Sequence, residues 1–279
     1  MPSFAKRYES FDDFIRYITD DSLPTWKCAR ASEDKPSRWN GNVTVAEAVK
    51  LASFGWKEGR EQMSTELDMA HNATSFERLP SFEYDVAGYM PNIPLYVSGC
   101  PSHMMSPLGN EQSMGRVVEF KVNISASASF DAEQLMRRGA SILSLVDKLE
   151  DAGMSCAITA CEYTNASSGK GNYLIEFPLK RAGQPMDIDR CAYCLVHPSM
   201  LRKLCFVEQE LEPRAEDGWS YGYGTPQDLP LHMRLGCVYF PEIRHMNGRT
   251  VEEQMSKTID IYERQTKGMD WDGTKLEDK

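Results

Sequence analysis

Residues 116–163 read RVVEFKVNISASASFDAEQLMRRGASILSLVDKLEDAGMSCAITACEY. Val117, Val118, Phe120, Val122 and Ile124 form a β-rich, mostly alternating run, the pattern of a buried or half-buried strand. Small hydroxyl residues follow. From Phe130-Asp131-Ala132-Glu133 onward, Leu135, Ile142, Leu145, Val146 and Leu149 recur at helical spacing, and Gly153 lies where a C-terminal cap belongs. Cys156 to Tyr163 returns to strand chemistry. Strand, helix of about five or six turns, and strand make a βαβ unit, whose crossover is right-handed. The polar turn 164–171 and the apolar run Asn172 to Leu179 then add a hairpin partner. Segment 116–179 is therefore expected to form strand, helix, strand, strand, with the first two strands parallel and the last antiparallel. The turn's Ser168-Gly169-Lys170-Gly171 is no phosphate loop, because it lacks the spaced first glycine and the Lys-Ser/Thr pair.

Between the first strand and the helix lies Asn123-Ile124-Ser125-Ala126-Ser127, at the carboxyl end where open α/β sheets place ligands. It resembles the Asp-x-Ser-x-Ser metal-adhesion motif of von Willebrand factor A domains, in which a carboxylate and two hydroxyls hold a divalent cation. Asn123 replaces the carboxylate and removes its charge, so this degenerate motif loop of Asn123, Ser125 and Ser127 is expected to hold no essential metal. The other reading is a helix start rich in capping residues, with Ser127 or Ser129 as N-cap. The fold class expected is α/β: a mixed, mainly parallel sheet with flanking helices, von Willebrand A-like or Rossmann-like, plus an N-terminal helical region.

With 279 residues the chain can bury a sizeable core. No apolar run approaches membrane-spanning length, and the start MPSFAKRYESFDDF lacks the apolar stretch of a signal peptide, so a cytoplasmic location is expected. Eight scattered cysteines, mostly in apolar surroundings, fit reduced thiols there. A net charge of −10 argues against a generic nucleic-acid coat, but leaves room for a local basic groove or a basic protein partner.

Ser10 begins a short amphipathic helix. The loop 20–42 then interleaves Lys27, Arg30, Lys35 and Arg38 with Trp26 and Trp39. Bases stack on aromatics while phosphates pair with cations, so these residues are candidates for single-stranded nucleic acid; equally, both tryptophans can anchor the loop to the core. Thr44 and Glu47 form a capping box for a helix running toward His71, with Val45, Ala48, Val49, Ala52 and Trp56 on its buried stripe and Gly55 and Gly59 interrupting it. The proline-rich stretch 76–107 holds two short or edge strands, Phe82 to Val86 and Ile93 to Val97. The organisation expected is an N-terminal helical and loop-rich region over 1–107, an α/β core over 108–266, and a mobile acidic tail over 267–279.

Cys191, Cys194 and His197 have metal-like spacing but no evident fourth ligand, and buried core cysteines are the alternative. Pro198 begins a helix reaching Glu210. Within the Gly/Pro-rich loop 212–230, Trp219, Tyr221 and Tyr223 either stack on bases, meet a protein, or anchor the loop. Cys237 to Phe240 is a strand and Val251 to Gln265 a closing helix.

Arg38-Trp39-Asn40-Gly41, Glu47-Ala48-x-x-Leu51-Ala52-x-x-Gly55-Trp56-x-Glu58-Gly59, Asp85-Val86-Ala87-Gly88 and the block 123–149 occur in this order. Together they resemble a family of largely uncharacterised tailed-phage proteins over roughly residues 10–265, and that family offers no catalytic residues to transfer. A more distant resemblance is to early proteins of lytic podoviruses that bring the phage RNA polymerase to single-stranded promoter DNA. The resemblance implies a non-enzymatic accessory factor in the infected host cytoplasm, without cofactor, contacting single-stranded DNA, a phage RNA polymerase, or both. The alternative is a protein-protein adaptor with a degenerate von Willebrand A-like domain, acting beside a chaperone-type ATPase. An enzyme has least support, since no base stands near Ser125 to Ser129.

Overall fold

Strand alternation decides the sheet, and helix caps decide where its cover begins. The computed structural model describes residues 4–23, 35–61, 68, 82–88, 90–107, 117–165, 171–212 and 223–275. Among these, no helix is long and apolar enough to cross a membrane.

Strand β1 (Phe4–Arg7) leads into helix α1 (Phe11–Ile18), where the Ser10 hydroxyl accepts the Asp13 N–H. Helix α2 (Val45–Phe54) carries the expected box: Thr44 Oγ1 accepts the Glu47 N–H, and the Glu47 carboxylate accepts that of Thr44. It stops at Gly55 instead of running on, because the next N–H, of Trp56, donates to Asp189 across the helix layer; helical turns resume at Lys57. Strands β2 (Phe82–Asp85), β3 (Met90–Pro91) and β4 (Met104–Pro107) make a small antiparallel sheet in the order β2-β4-β3. Ile93 to Val97, expected as a strand, is instead helix α3 (Ile93–Val97). Asn92 Oδ1 accepts the Leu95 N–H, and Pro94 falls in the first turn, where its missing N–H has no partner to lose.

Strand β5 (Val117–Asn123), helix α4 (Ala132–Asp151), strand β6 (Ser155–Asn165) and strand β7 (Asn172–Lys180) realise the expected unit. β5 and β6 are parallel with Val118 opposite Cys156; β6 and β7 are antiparallel with Tyr163 opposite Leu174. The N-cap of α4 is neither Ser127 nor Ser129 but Asp131, in a reciprocal box with Gln134. Residues 127–130 are held instead in a turn of their own, with the Phe130 N–H donating to the Ser127 carbonyl. Next come α5 (Ile188–Val196), a π-helical stretch Met200–Cys205, α6 (Phe206–Leu211), β8 (Thr225–Pro226), β9 (Val238–Phe240), α7 (Ile243–Met246) and α8 (Val251–Thr266). The helix expected from Pro198 is present, but its first part winds as a π-helix, a wider coil that often marks functional places.

The fold is mixed α/β. Six strands form one mostly parallel sheet in the order β1-β7-β6-β5-β9, with β8 added on β6, and an N-terminal helical region packs with its flanking helices. β1 belongs to this core sheet: it pairs in parallel with β7, Ala5 opposite Leu174. Val118, Phe120, Val122, Ile158, Ala160, Ile175 and Phe177 face the helices in one large cluster. Cys161, Tyr163, Leu174 and Tyr239 point the other way and are covered by Leu229, Met233 and Trp271. The segment after α8, expected as a free acidic tail, is folded back as far as Lys275. Asp270 is buried against Arg234, and Trp271 packs on His245.

Candidate functional site

The site begins with the turn that presents Arg38 and Trp39. Asn40 is buried and clamps this turn, its Oδ1 accepting the Ser37 N–H at 2.9 Å and its Nδ2 donating to the Lys35 carbonyl at 3.0 Å. Gly41 follows with φ +81°, a left-handed backbone, and a side chain there would strike the His197 ring at 2.5 Å. The turn therefore lies flat on His197 and directs Lys35, Arg38 and Trp39 outward, all three exposed.

Across from it stands Trp56. Its ring packs over Gly59, where an added Cβ would lie only 2.0 Å away, and meets His197 edge-on at 4.6 Å. The Gly-Trp-x-Glu-Gly element is thus a device for standing a tryptophan against His197. That histidine is buried, and burial pushes its imidazole down to about 4, so it is neutral near pH 7. Its Nδ1 accepts the Ser199 N–H at 3.2 Å, which leaves the ring hydrogen on Nε2. Ser199 also bonds Tyr193 and is fully buried, so the Ser-His contact is structural and offers no exposed nucleophile.

A cleft of about 470 Å³ opens between these walls, lined by Arg38, Val43, Leu51, Trp56, Met136 and His197 among others. A second hollow of about 420 Å³, between Trp39 and the start of α4, shares Arg38, Ala132 and Met136 with it. Such volumes lie within the ordinary range of ligand pockets. The lining of the first cleft is mostly apolar, with Arg38 and Glu58 as its charged residues. Arg38 has no partner among the described residues, although Asp131 and Glu133 border the second hollow.

Arg202, from the π-helical stretch, ties this surface together. It donates to the carbonyls of Trp39 (2.7 Å), Ser127 (3.2 Å) and Phe130 (2.8 Å), and its guanidinium lies 4.7 Å from the centre of the Trp39 ring. Desolvation pushes it down to about 10, still charged near neutrality; its two terminal nitrogens donate to the protein, while Nε is buried without a partner. Trp39 then contacts Phe206 at 6.2 Å, and Phe206 stacks on Tyr223 at 3.7 Å. The structure thus brings Trp39 and Tyr223, candidates from distant stretches, onto one aromatic series. The candidates Trp26, Lys27, Arg30, Trp219 and Tyr221 lie outside the described residues.

The Asn123 loop is built differently. Asn123 is fully buried; its Nδ2 donates to the Gln227 carbonyl (2.8 Å) and the Tyr239 hydroxyl (3.0 Å), and its Oδ1 accepts the Ser125 N–H (3.0 Å). Ser125 Oγ accepts the Tyr163 N–H and donates to its carbonyl, while Ser127 Oγ faces Ser129. Asn123 and Ser125 therefore point into the protein and do not converge with Ser127. Among the described residues no group of three or more His, Cys, Asp or Glu side chains could hold a metal ion. Cys191 and Cys194 share a helix, and burial raises both thiols, the first to about 12.

Sequence reasoning placed Trp56 on a buried stripe and treated His197 as a possible ligand; neither was seen as a cleft wall. Arg202 and Phe206 carried no signal, because a lone arginine and phenylalanine in a helical run look like any others.

These features define a mixed α/β protein with an aromatic-lined cleft between its N-terminal segment and the helix layer. The chain belongs to the DUF7192 family, a domain of unknown function, whose profile matches residues 2–266. No curated protein and no solved structure matches it significantly.

Proposed function

We propose that this chain is a non-enzymatic binding protein that takes single-stranded nucleic acid on the ledge formed by Arg38, Trp39 and Tyr223. The observation that carries this reading is that Trp39 and Tyr223 both contact Phe206, next to Arg38, whose side chain has no partner among the described residues. Successive bases need aromatic faces at short intervals and cations within reach of the phosphates. Trp39 is 41% exposed, enough to offer a ring, and Arg202 holds its backbone in place. The surrounding charge is acidic, so binding is local and salt-sensitive. The resemblance to tailed-phage proteins supports single-stranded promoter DNA as the strand and a phage RNA polymerase as its escort.

The test is titration of labelled single-stranded DNA at low salt, with and without such a polymerase, comparing the natural chain with Trp39→Ala and Tyr223→Ala. Stacking contributes about 1–3 kcal/mol per base, so the double variant should bind at least about tenfold more weakly. No binding by the natural chain at micromolar concentration, alone or with polymerase, would end this reading.

The adaptor alternative has one observation in its favour. Around the small β2-β4-β3 sheet, Val86, Ile93, Tyr96 and Val97 are all exposed, an apolar surface of the kind that meets another protein.

A further inference from the structure

Two carboxyl groups are buried where α6 meets the sheet, and they are treated unequally. Glu208 is the better supported as a carboxylate: burial pushes it up to about 7, but Tyr8 and Tyr173 donate their hydroxyls at 2.9 and 2.7 Å, and the Lys6 ammonium stands 3.7 Å away. Glu162, on the helix-facing side of β6, has less support. Its Oε1 accepts one amide hydrogen from Gln209 at 2.8 Å; its Oε2 has no partner, and neither does Thr164 Oγ1, two residues along the same strand face. Both side chains are at most 3% exposed. A buried carboxylate without counter-charge costs far more than the neutral acid, and such a group keeps its proton instead.

We propose that Glu162 is a proton-dependent latch: as the neutral acid it lets the segment 200–211 dock on the sheet beside Glu208, and its ionisation loosens that segment. Among the described residues, the charged and titratable groups around the pair are few. Glu208 and Glu212 face it from α6 and its C-terminal end, Cys205 from the π-helical stretch, Lys6 and Tyr8 from β1 and the residue after it, and Tyr173 from β7. Lys6 is the one cation in this set, and it serves Glu208 and Glu212. One proton, one ammonium and two buried carboxyls balance; removing the proton leaves two like charges in apolar surroundings. Burial first, and the neighbouring Glu208, push Glu162 up to about 8, against the single Gln209 hydrogen bond.

The sign follows. An unfolded glutamate releases its proton near pH 4.5, whereas folded Glu162 keeps it to about 8, so stability falls as pH rises through that window and levels off on either side. The segment 200–211 carries Arg202 and Phe206, so the latch controls the ledge as well. Its test uses no nucleic acid, and its failure would leave the binding proposal standing.

The experiment follows thermal unfolding of the full chain against pH, the infrared carbonyl band of a protonated carboxylic acid, and hydrogen exchange of the amides in 200–211. At pH 7.5 the natural chain should show a strong acid band, of which Glu162→Gln should keep only the smaller share that belongs to Glu208. Between about pH 5 and 8 the natural chain should lose melting temperature more steeply than the variant. Amides of 200–211 should exchange about tenfold faster at pH 8.5 than at pH 7, after correction for intrinsic rates, in the natural chain alone. If Glu162→Gln does not fold, Glu208→Gln decides: removing the neighbouring charge should move the loss of the acid band to lower pH. Absence of the band at pH 7.5, an equal pH slope in Glu162→Gln, or an unmoved band in Glu208→Gln would overturn the latch.

Discussion

Two parts of this molecule invite ligands, and they are built in opposite ways. At the carboxyl ends of β5 and β9, the usual ligand edge of an α/β sheet, Asn123 gives both amide hydrogens and its oxygen to protein partners. The loop preceding β9 closes over this edge, with β8 pairing on Thr164 and Asn165. At the seam between residues 35–61 and the π-helical stretch, Trp39 is exposed, Arg38 has no side-chain partner among the described residues, and a mostly apolar cleft stands open beside them. The fold-level rule for ligand position thus points to the closed edge, whereas the side chains point to the seam. Polar groups satisfied by the protein are structural; those left over are available for binding.

The largest effect should come from breaking the closed edge. Asn123→Ala would take a partner from the Gln227 carbonyl and the Ser125 N–H, while the Tyr239 hydroxyl keeps its bonds to Asp228 and Leu229. The cost should be about 3 kcal/mol in urea unfolding. A change under about 1 kcal/mol would mean that the edge is looser than its hydrogen bonds indicate.

Next is the seam's own keystone. Arg202→Met removes the donor of three carbonyls and the cation over Trp39, and should cost about 2–3 kcal/mol. Unlike Asn123→Ala it should also weaken DNA binding, because the turn that presents Trp39 loses its anchor. Equal binding by both variants would erase the distinction between the regions.

His197 gives a pH test of the seam. Its folded value, pushed down to about 4 by burial, lies below the ordinary 6.5, so the folded chain binds fewer protons between those values. That contribution to stability is whole above pH 6.5 and declines as pH falls toward 4, by about 3 kcal/mol at most. The effect of Glu162 runs the other way over part of this range, so the comparison to make is the natural chain against His197→Gln. The variant should lose stability less steeply on acidification, and an unchanged slope would show that His197 is not held neutral. The smallest effect on stability should come from Arg38→Ala, within about 0.5 kcal/mol as for an exposed unpaired side chain, while its DNA binding loses salt dependence.

The sheet was legible because periodicity reports it directly: Val118, Phe120 and Val122 alternate, the α4 pattern follows, and the hairpin to β7 closes the unit. Helix α1 and the Thr44-Glu47 box were legible because capping is local chemistry. What escaped was set by distant contacts. β1 reads as an unremarkable Phe-Ala-Lys-Arg until β7 offers it an edge. Ile93 to Val97 looks like a strand unless Asn92 and Pro94 are read as a helix start. The Asn123 motif resembled a cation site that had lost its charge, but sequence does not show that Gln227 and Tyr239 use up its amide. For the candidate site, Trp39 and Tyr223 were visible as aromatics, but Phe206, which joins them, and Arg202, which fixes the turn, lie on a helical run with no distinguishing pattern.

The most direct measurement is ultraviolet crosslinking of single-stranded DNA to the full chain, followed by mapping of the attached peptides. Adducts should fall on peptides containing Trp39, Trp56 and Tyr223, and should disappear in Trp39→Ala/Tyr223→Ala. Adducts confined to residues 123–129 or 225–245, or none under conditions where a known single-strand binder crosslinks, would contradict the assignment of binding to the seam.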